Sequence, residues 1–304
     1  MRVLLFGASG QVGWELQRSL APLGELVALD RHGAYPHRAP YGNLCGDLIN
    51  LQGLAETVQK VRPDVIVNAA AHTAVDKAQS EPELARTLNA LAPGVMAHEA
   101  ARIGAMLVHY STDYVFDGSG SRPWTEDDAT GPLSVYGQTK LDGERLVQAA
   151  DPRHLIFRTS WVYAARGGNF AKTMLRLGQE RERLSVIDDQ FGAPTGADLL
   201  ADVTAHAIRQ VLQRPQDAGL YHLVAAGETT WNGYAKYVLQ QARQATPAIN
   251  IKALEVEAVS TSAFPTPATR PHNSRLDTAR LQATFGLSLP DWKQGVARML
   301  TEIL

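Results

Sequence analysis

The chain has 304 residues, enough for one large domain or two modest ones. Charged residues make up 20% and hydrophobic ones 45%, and 29 Lys and Arg against 31 Asp and Glu leave a net charge of −2; this is a globular profile, with no surplus of positive charge to recruit nucleic acid or an anionic membrane non-specifically. The single cysteine, Cys45, excludes an intrachain disulfide and fits a reducing cytoplasm, and no apolar stretch approaches the roughly 18 residues of a membrane span.

Val3–Phe6 is a continuous apolar run, as expected of a strand buried on both faces. Gly7 ends it, so the run is too short for a signal peptide. Gly7, Gly10 and Gly13 follow with G-x-x-G-x-x-G spacing, and Val12, Leu16 and Leu20 then recur at helical spacing. Strand, glycine turn and helix form a dinucleotide-binding pattern. The glycines admit a pyrophosphate to the backbone, and the helix N-terminus offers free N–H groups and a positive dipole end.

Leu26–Leu29 reads as a second strand ending in Asp30, placed to accept ribose hydroxyls. Arg31 follows and could instead meet a 2′-phosphate, so NADH and NADPH both stay open. His32–Gly42 reads as a surface loop. Asn50 is a helix cap for Leu51–Val61, and Val65–Asn68 is a buried strand leading into the small residues before His72 and Thr73. Ser80-Glu81-Pro82-Glu83 has capping-box spacing for a helix reaching about Arg102, with a break at Pro93. Met106–Tyr110 is the next strand and delivers Ser111 and Thr112, either of which could hydrogen-bond a substrate carbonyl.

Tyr136 and Lys140 lie four apart at the start of a helix running to about Ala150, and therefore share one face. An ammonium close to a phenol favours the phenolate, which makes the pair a candidate proton-transfer unit. Leu155–Val162 is a further strand. Helices are expected over Asn169–Leu177, Asp198–Leu212, Trp231–Ala242 and from about Trp292 to Leu304. Gln190–Thr195 reads as a loop, Gly219–Val224 as a strand returning to the sheet, and Ala263–Arg275 as a Pro-rich segment offering Arg270, Asn273 and Arg275. The nine histidines are scattered, and no metal-ligand spacing is evident.

This alternation predicts an α/β protein: a Rossmann-type doubly wound parallel sheet with a smaller, discontinuous α/β substrate domain. The dinucleotide-binding part would take residues 1–160 and about 196–225. The substrate-binding part would take about 161–195 and 226–304.

The segments LLFGASGQVGWEL, DVIVNAAAHTAVDKAQSEPE, HYSTDYVFDG, VYGQTKLDGE, FRTSWVY, IDDQFGAPTGADLLAD, LYHLVAAG and FPTPATRPHNSRL resemble the extended short-chain dehydrogenase/reductases that act on nucleotide sugars, from end to end of the chain. The resemblance implies NAD(P)H-dependent reduction of a C4 keto group, that of dTDP-6-deoxy-L-lyxo-4-hexulose, in the synthesis of bacterial surface polysaccharide. By the same resemblance Tyr136 is the proton donor, Lys140 its partner on the nicotinamide ribose, and Thr112 the hydroxyl on the substrate carbonyl. Gly10, Gln11, Val12, Asp30, Asp47, Leu48, Ala71, His72, Thr73 and Tyr110 match cofactor positions, while Asp113 and Trp161 match substrate contacts. It further implies a homodimer around Mg2+, with Glu15, Asp198 and Glu302 at the carboxylate positions. Asp198 is shorter than the Glu usual there. The sugar-nucleotide dehydratases of the superfamily carry Asp-Glu after the threonine, whereas this chain has Asp113-Tyr114, which argues against dehydration. A 4-epimerase and a non-catalytic regulatory subunit are the remaining alternatives.

Overall fold

The computed structural model describes residues 1–34, 41–150, 153–246 and 249–304, so most of the His32–Gly42 loop lies outside the described residues. The first half alternates strand and helix as expected: β1 (Arg2–Phe6), α1 (Gln11–Leu20), β2 (Glu25–Asp30), β3 (Gly33–Ala34), α2 (Leu51–Val61), β4 (Val65–Asn68), α3 (Val75–Ser80), α4 (Pro82–Arg86), α5 (Ala92–Ile103), β5 (Met106–Thr112), α6 (Val135–Ala150) and β6 (His154–Thr159). The second half holds β7 (Val162–Tyr163), α7 (Phe170–Glu180), β8 (Arg183–Ile187), β9 (Phe191–Gly192), β10 (Thr195–Gly196), α8 (Ala197–Gln213), β11 (Gly219–His222), β12 (Thr229–Thr230), α9 (Trp231–Gln244), β13 (Glu255–Val259), α10 (Ala279–Phe285) and α11 (Trp292–Ile303).

One seven-stranded sheet has the order β11-β6-β5-β4-β1-β2-β3. Six of its strands are parallel, and β3 adds an antiparallel edge to β2. The central strands are apolar throughout because both faces are covered: Val3, Leu5, Val65, Val67, Val108 and Phe157 pack under α1 and α8, and Leu4, Phe6, Ile66, Leu107 and Ile156 under α2 and α5. A third core lies among α7, α9 and α11, built on Tyr234, Trp292, Leu239 and Val296. β11 returns to the sheet edge beside β6, as the late apolar run suggested.

Local chemistry sets most boundaries. Asn50 caps α2, its Oδ1 accepting from Gly53 N–H at 2.9 Å, and Asn169 and Asp291 cap α7 and α11 in the same way. The break at Pro93 takes a specific form. Proline has no N–H to bond four residues back, and residues 87–91 open into a π-turn, with Ala92 N–H reaching back to Thr87.

Three expectations are corrected. The Ser80–Glu83 capping box does not form: Ser80 closes α3 with its hydroxyl on Lys77 O, and Glu81, not Ser80, is the N-cap of α4, without a side-chain hydrogen bond. The strand predicted over Leu155–Val162 stops at Thr159, because Trp161 turns to a positive φ of 49° and re-aims the chain into β7. The Gln190–Thr195 loop contains β9 and runs into β10, and the parallel pair β8–β13 was not foreseen.

Candidate active site

Tyr136, Lys140 and Thr112 converge at the carboxyl end of β5, where a doubly wound sheet binds ligands. Thr112 is the last residue of β5, and Tyr136 opens α6 beside it. Gly137 allows the close approach: a Cβ there would lie 2.2 Å from Tyr114 O. The Tyr136 hydroxyl comes close to that of Thr112. The Thr112 hydroxyl in turn donates to Asp113 Oδ1 at 3.0 Å and accepts from Tyr114 N–H at 3.2 Å. The Tyr114 ring meets Tyr136 edge-on at 5.4 Å. The phenol, hydroxyl and carboxyl thus form one group, in which the hydroxyl is hydrogen-bonded to the carboxyl.

Lys140 does not join this group. It is fully buried, and its Nζ donates to Tyr110 O at 2.6 Å and lies 3.3 Å from His109 Nε2. The expectation that Lys140 depresses the Tyr136 pKa is therefore corrected. Burial pushes the phenol up to about 12 and the ammonium down to about 8, because desolvation disfavours the charged form of each. A phenol so shifted keeps its proton at neutral pH, as a proton donor must.

Asp113 is also buried, and burial raises it from 3.8 to about 6 against the hydrogen bond that its Oδ1 accepts from Thr112. A carboxyl raised in the fold contributes stability in its protonated form, fully present below about pH 4 and lost as pH rises through about 6. Asp113→Asn should therefore gain on the wild type by about 3 kcal/mol between pH 4 and pH 7. Urea denaturation at several pH values checks this, and a pH-independent difference would show that the carboxyl is not shifted.

The cofactor positions assemble on the neighbouring strand ends. The N-terminus of α1 has no side-chain cap and no acid in its first turn, so its N–H groups are available to phosphate. Two of the three glycines are required sterically. Gly7 has φ +84°, and a Cβ there would meet Ala70 at 2.7 Å, while a Cβ on Gly13 would lie 2.0 Å from Gly7 O. Gly10, Gln11 and Val12 form the turn into the helix between them. Asp30 ends β2 and accepts from His32 N–H at 2.8 Å. Gly46 packs against Asp30 O and so brings Asp47 and Leu48 alongside. Ala71, His72 and Thr73 follow β4, and His72 Nδ1 and Ser111 Oγ are buried polar atoms without a partner. Orphaned polar atoms beside an uncapped helix end suit a polar, phosphate-bearing ligand, so these residues fit a dinucleotide. Tyr110 reaches this region through its backbone alone; its side chain points to the opposite face and hydrogen-bonds Thr204 at 2.6 Å.

The substrate candidates divide. Arg270 makes a two-point ion pair with Asp76 at 2.7 and 3.2 Å, so an anion at this guanidinium would displace a carboxylate. Arg275 is held by Glu228 at 2.6 Å and lies over the Phe191 ring. Asn273 is corrected to a structural role: its NH2 donates to Ser119 O and Arg122 O, and its Oδ1 accepts from Arg275. Trp161 is half-buried and stacks on Trp231, ring centroids 3.7 Å apart. Glu15, Asp198 and Glu302 do lie within electrostatic reach of one another. However, Arg18 pairs with Glu15, Arg298 pairs with both Asp198 and Glu302, and no metal-binding group of acids, histidines or cysteines forms among the described residues. A donor set already neutralised by arginine does not fit Mg2+ on the single chain.

Asn89 escaped the sequence reading. The π-turn ahead of Pro93 carries it; there its fully buried amide accepts from His72 N–H at 2.8 Å and donates to His72 O and Thr139 Oγ1, both at 3.1 Å. It clamps the loop after β4 to the helix of Tyr136 and Lys140. Asn89→Ala should cost about 1–3 kcal/mol by stranding these buried groups and should weaken cofactor binding, as dinucleotide titration would show. Tyr114, Ser274 and Trp231 were missed too, since nothing in their local spacing marks them.

Comparison with known proteins bears on the whole of this arrangement. A family model described as the RmlD substrate binding domain matches residues 1–304. The chain is 62% identical over 303 residues to the dTDP-4-dehydrorhamnose reductase of Salmonella typhimurium and 60% identical to that of Escherichia coli K12, covering 100% of this chain and 98% of each relative. Among solved structures, a dTDP-4-dehydrorhamnose reductase from Clostridium acetobutylicum aligns with TM-score 0.87 at 34% identity, over 100% of this chain and 99% of the other. One from Bacillus anthracis, in complex with NADP, aligns with TM-score 0.85 at 34% identity over 99% of both chains. The strand-end cluster of phenol, hydroxyl and lysine thus sits in a chain that belongs to the RmlD substrate binding domain family, alongside the dTDP-4-dehydrorhamnose reductases.

Proposed function

We propose that this protein reduces the C4 keto group of dTDP-6-deoxy-L-lyxo-4-hexulose to give dTDP-L-rhamnose, with NADPH or NADH as reductant. The grouping of Tyr136 with Thr112 and Asp113 carries the reading, because it places a protonated phenol and a hydroxyl together at one point. A bound nicotinamide supplies the hydride that reaches the carbonyl carbon. As charge gathers on the carbonyl oxygen, Thr112 turns its hydroxyl proton from Asp113 to that oxygen, and Tyr136 gives it the phenolic proton. Asp113 accepts the Thr112 hydrogen bond at rest and holds the hydroxyl in place. Gly7 to Gly13 and the N-terminus of α1 receive the pyrophosphate, and Asp30 with Asp47 and Leu48 receives the adenosine end. Lys140 faces the nicotinamide ribose.

Residues 1–160 and about 196–225 form the cofactor domain in this reading, and the remainder covers the sugar nucleotide. Trp161 and Arg270 are the contacts we assign to the sugar and diphosphate. Asp30 favours a free ribose hydroxyl, while Arg31 beside it suits a 2′-phosphate. Turnover of the keto sugar nucleotide with NADPH and NADH in parallel, each with and without EDTA, tests the proposal. One cofactor should be oxidised per sugar reduced, at a rate EDTA leaves unchanged. Retained NAD+ with no net oxidation would favour an epimerase, and binding without turnover a regulatory subunit.

A further inference from the structure

Trp161 stands in a backbone conformation that bulky side chains rarely take, with a φ of 49°. It lies two residues beyond Thr159, the last residue of β6 and the register partner of Thr112, and so flanks the point where the carbonyl is placed. A residue this large holds a left-handed backbone only where its surroundings over-determine it. Its carbonyl accepts from Thr195 N–H, at the start of β10, at 3.2 Å. Gly192 leaves room for the indole, since a Cβ there would lie 2.8 Å from Trp161 Cε2. Trp231 covers one face of the ring, with centroids 3.7 Å apart and planes 16° from parallel.

Trp231 is itself fixed. It opens α9, whose N-cap Thr230 accepts from Gly233 N–H at 3.0 Å, and β12 just before it pairs with β9, the strand of Gly192. Its Nε1–H donates to Oε1 of the buried Gln190 at 3.0 Å, and the Gln190 NH2 donates to Thr261 Oγ1 at 3.0 Å. That hydrogen bond stops the indole from swinging about its side-chain bonds, and Phe170 packs against it at 4.6 Å with its ring tilted by 53°. The face offered to Trp161 is therefore rigid, while Trp161 itself is only half-buried. A 6-deoxy sugar carries a methyl group where an ordinary hexose carries a hydroxymethyl, and this apolar surface suits the face of an indole.

We propose that Trp231 is the positioning residue of the sugar site: its ring face holds Trp161 in the left-handed conformation and so sets the plane against which the deoxy sugar packs. Trp231 acts through Trp161 and touches no reacting group. Its effect falls on recognition of the sugar, and not on the nucleotide diphosphate, which meets Arg270 on a different segment. This inference rests on the contact between Trp161 and the sugar proposed above.

Calorimetry with two ligands tests it: dTDP, which has no sugar, and dTDP-L-rhamnose, which has one. The quantity read is the ratio of the dTDP dissociation constant to that of dTDP-L-rhamnose. Trp231→Leu should lower this ratio by about three- to tenfold, the worth of one aromatic contact, and leave dTDP binding within about twofold. Trp161→Leu should lower it at least as far. Trp231→Phe keeps an aromatic face and should restore most of the ratio. A merely structural role would weaken both ligands alike, with no rescue by Phe, and would overturn the proposal. A ratio lowered by Trp161→Leu but untouched by Trp231→Leu would overturn it equally. If Trp231→Leu does not fold, Trp231→Met fills the space without a flat face and is read in the same way.

Circular dichroism supplies a readout without ligand. Stacked indoles couple their transitions, so the wild type should show a far-ultraviolet couplet that is absent from both Trp161→Leu and Trp231→Leu. A wild type without the couplet has no stack, and the proposal fails. If neither Leu variant changes the ratio of dissociation constants, Trp161 is not in the sugar site and the proposal falls with that contact. Should the variants behave as expected while the wild type fails to reduce the keto sugar, the reaction assignment falls and the role of Trp231 in sugar binding stands.

Discussion

Tyr136→Phe is expected to lower turnover of the keto sugar nucleotide by ~10²–10⁴, the usual contribution of a positioned acid. Thermal unfolding should change little, because the ring edge against Tyr114 at 5.4 Å is kept. The structure places no other proton donor on Thr112 from the α6 side, among the described contacts. A loss within about twofold would remove proton donation by Tyr136 from the mechanism.

The largest expected effect on stability is at Glu144. It faces Arg158 across the interface of α6 and β6, with hydrogen bonds of 2.9 and 2.7 Å and both side chains almost wholly buried. Arg158 also lies over the Phe116 ring at 5.0 Å, and its Nη1 has no partner, so no second acid is at hand. Glu144→Ala would leave a buried, uncompensated guanidinium and should cost about 3–5 kcal/mol in denaturant unfolding. The double change Glu144→Leu with Arg158→Met should recover most of this, since a buried pair gains little over well-packed apolar groups. A single-variant loss below about 1 kcal/mol would mean that water reaches the pair. Because α6 carries Tyr136 and Lys140, the single variant should also weaken cofactor binding.

Much of the first half was legible in the sequence, because parallel strands buried on both faces read as unbroken apolar runs, and glycines, Asn50 and Pro93 punctuate them. The same local signals failed where long-range contacts decide. Trp161 ends β6 by adopting a positive φ while stacked on Trp231, 70 positions away. β8 finds its partner β13 across two intervening helices, α8 and α9, and four strands, β9 to β12, which no local pattern announces. In the site, Tyr136, Lys140 and Thr112 could be named from spacing and resemblance, but their electrostatics could not. Spacing put Lys140 next to Tyr136; the fold turned it toward Tyr110 O and His109 and left burial to set both proton affinities. Asn273 shows the opposite failure. A polar residue in a Pro-rich segment invites a ligand role, yet its four hydrogen-bonding positions hold the 118–122 turn and Arg275 in place.

C4 reduction is tested most directly by supplying cofactor deuterated at the transferable position of the nicotinamide and locating the label in the product by NMR. Deuterium is expected on C4 of the sugar, in a dTDP-6-deoxyhexose whose new hydroxyl hydrogen exchanges with water. Deuterium on any other carbon, or label retained on the cofactor while the sugar changes configuration, would contradict it.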